Sequence, residues 1–388
     1  MISVRDATVP DDRVLGSTHR FEPVGPLACV ELFNIMHETS ERIYNGDGSW
    51  GHGFVHDESS VRWRALFAKP EDYVEWPTVR DCGRRLAGYA RALDVSRNSR
   101  YLERLAAGIE WLLRQQLADG AFPWWVSRTG MPDTDHLFYV SAYAVVGLLE
   151  ASRHSPSDRV LPAVRRAADW VVTRAHSPNT NYNAFACWVL VAAHRAFSDR
   201  RYLEAAVRMA VDGILPGQLA NGGWAGHNSW VFYQGITVSG LAVLAAALSR
   251  DHRLFRTIES CLYRAVNNLV IRQHDDGTSL STFDEQEWEE AQRRQIGCEK
   301  HPRSAADPHA VIALVWLHEL LGFPVENVIH GHLAAYRSAI LANAPYLELA
   351  TSHGEHDMAV GCAWRWAARR AGATPAHDTR NTRRDDEH

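Results

Sequence analysis

Apolar positions recur along the chain at helical spacing almost without interruption, while the period-two alternation of a half-buried strand is nearly absent. The pattern predicts helices over 22–38, 76–95, 99–117, 136–153, 158–175, 181–197, 200–216, 231–249, 252–273, 306–321, 325–342 and 356–370. Those over 99–117, 158–175, 200–216 and 252–273 mix charged and apolar residues, as in YLERLAAGIEWLLRQQ, and read as amphipathic with one wet face. The members that follow them are far more apolar, as in YVSAYAVVGLLEA, NAFACWVLVAAHRA and ITVSGLAVLAAAL, and read as covered nearly all round. Outer and inner helices alternating at a period of roughly 50 residues predict an all-α protein, a single α/α toroid of about six helical hairpins, or (α/α)6 barrel. A superhelical solenoid gives similar periodicity. Twelve helices without obviously polar terminal caps favour closure. The toroid is expected over 21–371, after an N-terminal extension at 1–20. The tail at 372–388 has no apolar face and is expected to be disordered.

The junctions are asymmetric. Inner-to-outer connections are short, such as DVSRNS at 94–99 and FSDR at 197–200. Outer-to-inner connections are mostly longer and richer, at 39–75, 118–135, 176–180, 217–230, 274–305 and 343–355. In an antiparallel ring these all lie at one end. That end gathers Trp, His, Asp and Asn around the mouth of the inner barrel, and function is expected there.

Composition narrows the class. The 388 residues are 46% apolar and 22% charged, an ordinary globular balance, with a formal charge of -5. Lacking a basic block, the chain is not expected to bind nucleic acid. Six scattered cysteines read as reduced thiols. Neither a secretion leader nor a membrane-spanning apolar run is visible, so the expected address is the cytoplasm. Oligomeric state is left open.

One short pattern recurs. Gln218-x-x-x-Gly222-x-Trp224 is echoed by Gln116-x-x-x-Gly120-x-Phe122, more weakly by Gln273-x-x-x-Gly277, and by Gly48-x-Trp50. Arg166-Ala167-x-x-Trp170-Val171 keeps the upstream half. Glycine ends a helix at positive φ, the glutamine amide bridges exposed backbone groups, and the ring packs over an outer helix. A structural role is therefore expected for Gln116, Gln218 and Trp224. The full pattern resembles the QW repeat of triterpene and other class II terpene cyclases, whose toroidal fold the protein prenyltransferase β-subunits share. That resemblance covers roughly 45–280 and speaks to fold more than to reaction. α/α-Toroid polysaccharide lyases and glycoside hydrolases do without the repeat.

By resemblance, the cyclase Asp-x-Asp-Asp acid falls on Asp133-Thr-Asp135-His136, with Asp135 as proton donor, Asp133 its neighbour and His136 in place of the last Asp. Asp307-Pro-His309-Ala310 offers a second acid in better helical register. A carboxyl beside a histidine within aromatic walls can be held protonated, and Trp50, Trp124, Trp125, Trp224, Trp230 and Tyr233 could supply those walls. Simple helix capping by Asp133 or Asp135 is the competing reading. The leading expectation is acid-initiated cyclisation or rearrangement of an isoprenoid-like substrate, although such cyclases usually combine two helical domains and this chain has length for one.

The same inventory suits sugar chemistry, where aromatics stack on rings and acid–base groups cleave. The alternative is thus a carbohydrate-active lyase or glycoside hydrolase on a uronate-containing oligosaccharide, drawing on His52, His56, Asn183, His227, Tyr233 and His309. A non-enzymatic, peptide-binding toroid is the third reading. No cofactor is predicted. A divalent metal, zinc or magnesium, could use His52-x-x-x-His56-Asp57, Cys298-x-x-His301 with Asp307 and His309, or His353-x-x-His356-Asp357, but no spacing is diagnostic. The prenyltransferase resemblance implies zinc held by Asp, Cys and His of late repeats, yet its Asp-x-Cys element has no match here. Segment 274–305, with Asp284, Glu285 and Glu287, reads as a lid or as a solvated helix. Arg62, Arg64 and Lys69 could meet a diphosphate or a uronate.

Overall fold

The computed structural model describes residues 19–41, 44–50, 77–124, 135–280, 303–304, 307–341 and 355–372. Among them are twelve α-helices: α1 Pro26–Glu41, α2 Val79–Leu93, α3 Ser99–Gln115, α4 Asp135–Ser152, α5 Val160–Val172, α6 Thr180–Phe197, α7 Arg200–Gly213, α8 Val231–Ala245, α9 Arg253–Val270, α10 Pro308–Leu321, α11 Glu326–Leu341 and α12 Glu355–Arg370. The even-numbered helices each pack on the next, and α12 returns onto α2. The ring is closed, an α/α toroid, with the odd-numbered helices outside.

The two helix types follow their sequences. Outer α9 buries one stripe, including Phe255, Ile258, Leu262, Ala265, Val266 and Leu269. Inner α8 buries every residue from Gln234 to Ala245. Inner α2 departs from the apolar pattern, because Asp81, Arg84, Arg85 and Arg91 are all buried within it. Side-chain caps set several starts: Thr78 accepts from Asp81 N ahead of α2, and Asp199 from Arg201 N ahead of α7.

Glycines bring the inner helices into backbone contact. A Cβ on Gly83 of α2 would lie 2.4 Å from the carbonyl oxygen of Tyr143 on α4, and one on Gly361 of α12 would lie 2.6 Å from that of Gly88 on α2. Such a ring leaves a narrow bore. Rings fill it, with Phe185 and Trp188 centred 5.1 Å apart and Trp188 and Trp316 5.0 Å apart.

The repeated Gln/Gly pattern fastens the outer ring. Gln116 Nε2 donates to the carbonyls of Gly120 in its own turn (2.9 Å) and of Ala163 on the next outer helix (2.8 Å). Gln218 repeats this with Gly222 (3.0 Å) and Cys261 (2.9 Å). Gln273 reaches Val328 on α11 at 3.0 Å. Arg166 and Arg264, from the helices thus joined, donate back to the Gln116 and Gln218 amide oxygens. Gly222 has φ 87°, and a Cβ there would meet the Arg264 carbonyl oxygen at 2.1 Å, so glycine is required on both counts.

Ser279–Leu280 pairs antiparallel with Arg303–Ser304, on either side of segment 281–302. That segment lies outside the described residues, as do residues 1–18 and 373–388. No described helix is long and apolar enough to cross a membrane. The five described cysteines are free and buried.

Candidate active site at the barrel mouth

The mouth lies at the N-terminal ends of the inner helices, where the outer-to-inner junctions arrive. On α2, Asp81 accepts from two arginines, Arg80 Nε at 3.1 Å and Arg84 Nη1 at 3.0 Å, and from the Thr78 hydroxyl at 2.6 Å. Two guanidinium groups thus share one carboxylate, and their remaining faces meet aromatic rings. Arg84 Cζ sits 4.1 Å from the Tyr143 ring centroid. Arg80 Cζ sits 5.7 Å from Trp124 and 6.0 Å from Tyr139. Helical register puts Arg80 one turn nearer the opening than Arg84, as it does Tyr139 relative to Tyr143.

Between α4 and α10, the Tyr143 hydroxyl and His309 Nε2 are 2.9 Å apart. Phe232 lies edge-on to the His309 ring, 4.4 Å away. His309 Nδ1 is buried and has no hydrogen-bond partner among the described residues. Burial, followed by the charges of Arg84, His356 and Arg80, depresses the His309 pKa well below the ordinary imidazole value, so the ring is neutral at pH 7. His356, the second residue of α12, is likewise buried with Nδ1 unpartnered, and burial together with Arg84 lowers its pKa to about 3. Around this floor stands a half-buried rim of Arg80, Trp124, Tyr182, Phe232 and Tyr233. Tyr139 and Tyr182 stack with centroids 6.2 Å apart.

The residues singled out from sequence divide. His309 sits at the centre, with Trp124 and Tyr233 on the rim. Trp230 is nearly buried, at 7% exposure, directly ahead of α8. Three others are tied into the scaffold and are not offered at the mouth. Trp50 is wholly buried against Tyr44 and Tyr89, and Trp224 is buried with Nε1 donating to the Ile214 carbonyl at 3.0 Å. Asn183 laces Ser177, Asn179 and Gly213 together. Asp307 caps α10, its Oδ1 accepting from His309 N and Ala310 N at 3.0 Å each. Asp135 and His136 open α4, and His227 lies in the 3-10 turn at 226–229, but the side chains of all three lie outside the described residues. So do Asp133, Trp125, His52, His56, Arg62, Arg64, Lys69, Asp284, Glu285 and Glu287.

Sequence reasoning missed Arg80, Asp81, Arg84, Tyr139 and Tyr143. The available signal was charge on an inner helix, where neighbours on every side leave an arginine no solvent.

Among the described residues no group of three or more His, Cys, Asp or Glu is placed to hold a metal. His356 and Asp357 serve different surroundings: Asp357 accepts from Ser40 at 2.9 Å and faces Arg85 at 3.5 Å, at the seam of α1, α2 and α12. Asp57, Cys298, His301 and His353 lie outside the described residues.

The opposite end of the barrel carries a different cluster. Arg91 meets Glu150 at 3.2 Å, and Arg365 meets Glu319 at 3.2 Å and Asp94 at 3.4 Å. Arg153 pairs with both Asp94 and Glu150, and His154 with Asp94 at 3.0 Å.

The chain matches no family model and none of the curated proteins. Solved structures do resemble it. A variant of an unsaturated glucuronyl hydrolase from Streptococcus agalactiae aligns with a TM-score of 0.58 at 10% identity, over 94% of this chain and 98% of that one. Another variant of that hydrolase, solved with dGlcA-GalNAc6S, aligns at 0.56 and 12% identity, over 93% and 97%. A polysaccharide lyase aligns at 0.55 and 11%, over 90% and 100%, and a glycosyl hydrolase family 88 protein from Bacteroides vulgatus at 0.56 and 10%, over 87% and 99%. Identities this low establish the α/α-toroid fold. They also overturn the expected isoprenoid cyclisation, since the structural neighbours are carbohydrate-active enzymes. The repeat that suggested cyclases is a scaffold fastening.

Proposed function

We propose that the chain is a carbohydrate-active enzyme that cleaves a uronate-containing oligosaccharide at the barrel mouth by elimination. The observation that carries this is the Tyr143–His309 hydrogen bond of 2.9 Å beneath the Arg84 guanidinium. Elimination next to a uronate needs the carboxylate charge neutralised, a base for the proton alpha to it, and an acid for the departing oxygen. Arg84 and Arg80 meet the carboxylate. Tyr143 passes its hydroxyl proton to neutral His309 and, as phenolate beside Arg84, removes the alpha proton. The freed electron pair forms the ring double bond and expels the glycosidic oxygen. That oxygen takes the proton held on His309, which restores both side chains. The depressed imidazole pKa favours this last transfer and opposes the first, so the imidazolium is short-lived and its formation depends on Arg84 stabilising the phenolate. Trp124, Tyr182 and Tyr233 supply faces for the sugar rings.

A second reading is supported by the neighbours named as hydrolases: removal of an already unsaturated uronyl group, with Asp135 at the start of α4 as its acid. One assay separates the two. Elimination raises the ultraviolet absorbance of the unsaturated uronate when the protein is given polyuronate or glycosaminoglycan oligosaccharides. Hydrolysis lowers it when unsaturated disaccharides are supplied. No change with either panel, and no fragments by mass spectrometry, rejects both.

A further inference from the structure

Asp307 stands two residues before His309, where a carboxylate can either donate a proton to substrate or hold the imidazole in place. Four contacts bear on the choice. Asp307, only 4% exposed, commits Oδ1 to the backbone N–H of His309 and of Ala310, at 3.0 Å each. On the other side of the same residue, α8 presses against the His309 carbonyl: a Cβ on Gly235 would lie 2.4 Å from His309 C and 2.6 Å from its oxygen. Phe232, three residues earlier on α8, lies edge-on to the imidazole at 4.4 Å. Tyr143 holds Nε2. The backbone of His309 is thus gripped from both sides, and its ring from two more.

We infer that Asp307 is a positioning residue for His309 and remains a carboxylate throughout, rather than serving as a proton donor. The inference rests on the reading of His309 as the proton acceptor from Tyr143. Two backbone donors and the N-terminal end of a fourteen-residue helix favour the ionised form. Arg272 reinforces this from the end of α9. Its side chain is buried and anchored by Nη1 to the Ser229 carbonyl at 2.7 Å. Burial lowers its pKa to about 10, and the attraction of Asp307 works against that fall. A carboxylate held in this way caps the helix in one geometry, so the imidazole projects from a fixed turn toward α4. Displacement of a reacting group by about 1 Å can cost on the order of a hundredfold in rate, and loss of a cap loosens the first turn of the helix.

Asp307→Ala and Asp307→Asn separate positioning from acid catalysis, because an asparagine oxygen caps a helix as well as an aspartate oxygen does. Two readouts are taken on the whole chain: turnover of uronate oligosaccharides, and imidazole nitrogen NMR, with the His309 signals assigned through His309→Gln. Asp307→Ala should lower kcat on the order of tenfold to a hundredfold with KM little changed, and should shift the His309 signals. Asp307→Asn should recover most of that rate and the wild-type signals. Gly235→Ala, pressing from the other side, should shift the same signals. If Asp307→Asn keeps the wild-type imidazole signals yet is as inactive as Asp307→Ala, Asp307 is the acid and the inference is overturned. It is equally overturned if Asp307→Ala leaves both signals and rate unaltered. Absence of turnover in the wild type would instead remove the reading of the reaction, while the NMR comparison would still decide whether Asp307 sets His309.

Discussion

The two ends of the barrel use their arginines in opposite ways. Away from the mouth, Arg91, Arg153 and Arg365 interlock with Asp94, Glu150 and Glu319, drawn from α2, α4, α10 and α12. At the mouth, Arg80 and Arg84 share Asp81 and lie on Trp124, Tyr139 and Tyr143. Buried charge that is closed on itself stabilises a structure only when every partner is present. An arginine backed by rings can also take part in holding an anion. The first arrangement reads as fastening; the second is where we propose that the uronate binds.

The comparison breaks most forcefully at Glu150. Glu150→Ala strands Arg91 in the interior and should cost roughly 3–5 kcal/mol, read by urea denaturation, with turnover per folded molecule preserved. If turnover falls while stability holds, the two ends are not separate in function. Tyr143→Phe is the converse. It should lower kcat by about a hundredfold or more with an unfolding midpoint close to wild type, and undiminished kcat would remove Tyr143 from the reaction.

Acidification sharpens the same contrast more gradually. Burial lowers the pKa of His356 to about 3 and that of His332 on α11 to about 4, so between those values and about 6.5 the unfolded chain binds protons that the folded one refuses. Their contribution is complete above about pH 6.5 and is lost as pH falls, with a slope approaching 1.4 kcal/mol per pH unit for each, about the value of one pKa unit. Asp357 opposes them: burial raises it to about 6 despite Arg85 and Ser40, so its contribution grows as pH falls through that value. At the far end, burial opposes ionisation, but His154 and Arg153 hold Asp94 below the carboxylate range, and Arg91 and Arg365 do so for Glu150. Their contribution is lost only below about pH 4. Denaturation midpoints should therefore decline in two stages, and His356→Asn should flatten the first alone. The smallest effect concerns the outer ring. Gln218→Ala removes the ties to Gly222 and Cys261 and should cost about 1 kcal/mol with kcat unaltered.

The fold was legible because helical periodicity is local. The expected helix 99–117 is Ser99–Gln115, and 252–273 is Arg253–Val270; the surplus falls at ends where a capping residue stops the turn before the apolar pattern does. The alternation of wet and dry helices carried the ring as well. The site was less legible because it is assembled across the bore. Tyr143 and His309 are 166 residues apart in sequence, and neither neighbourhood alone announces the pair. Asn183 reads from sequence as a sugar contact and Trp224 chiefly as a fastening, yet sequence alone distinguishes the two roles poorly for a related reason. Polar and aromatic residues at a rim can serve its backbone as readily as a ligand, and both serve backbone here. Asp307 was found by its position ahead of an apolar run, which is also where a helix cap belongs.

Closure of α12 onto α2 joins Arg91 to Cys362 across 271 residues of chain, and this bears on how the molecule is made. A solenoid gains stability one repeat at a time and can fray from its ends. A ring with its first and last inner helices in register has no end to fray from, and contacts so distant in sequence form slowly. Until the last hairpin arrives during synthesis, Arg85 and Arg91 must stay hydrated, because Asp357 and Cys362 are not yet there to complete their surroundings. A chain that stops before α12 therefore presents an open seam lined with arginine, a state that chaperones and proteases can distinguish from the finished ring.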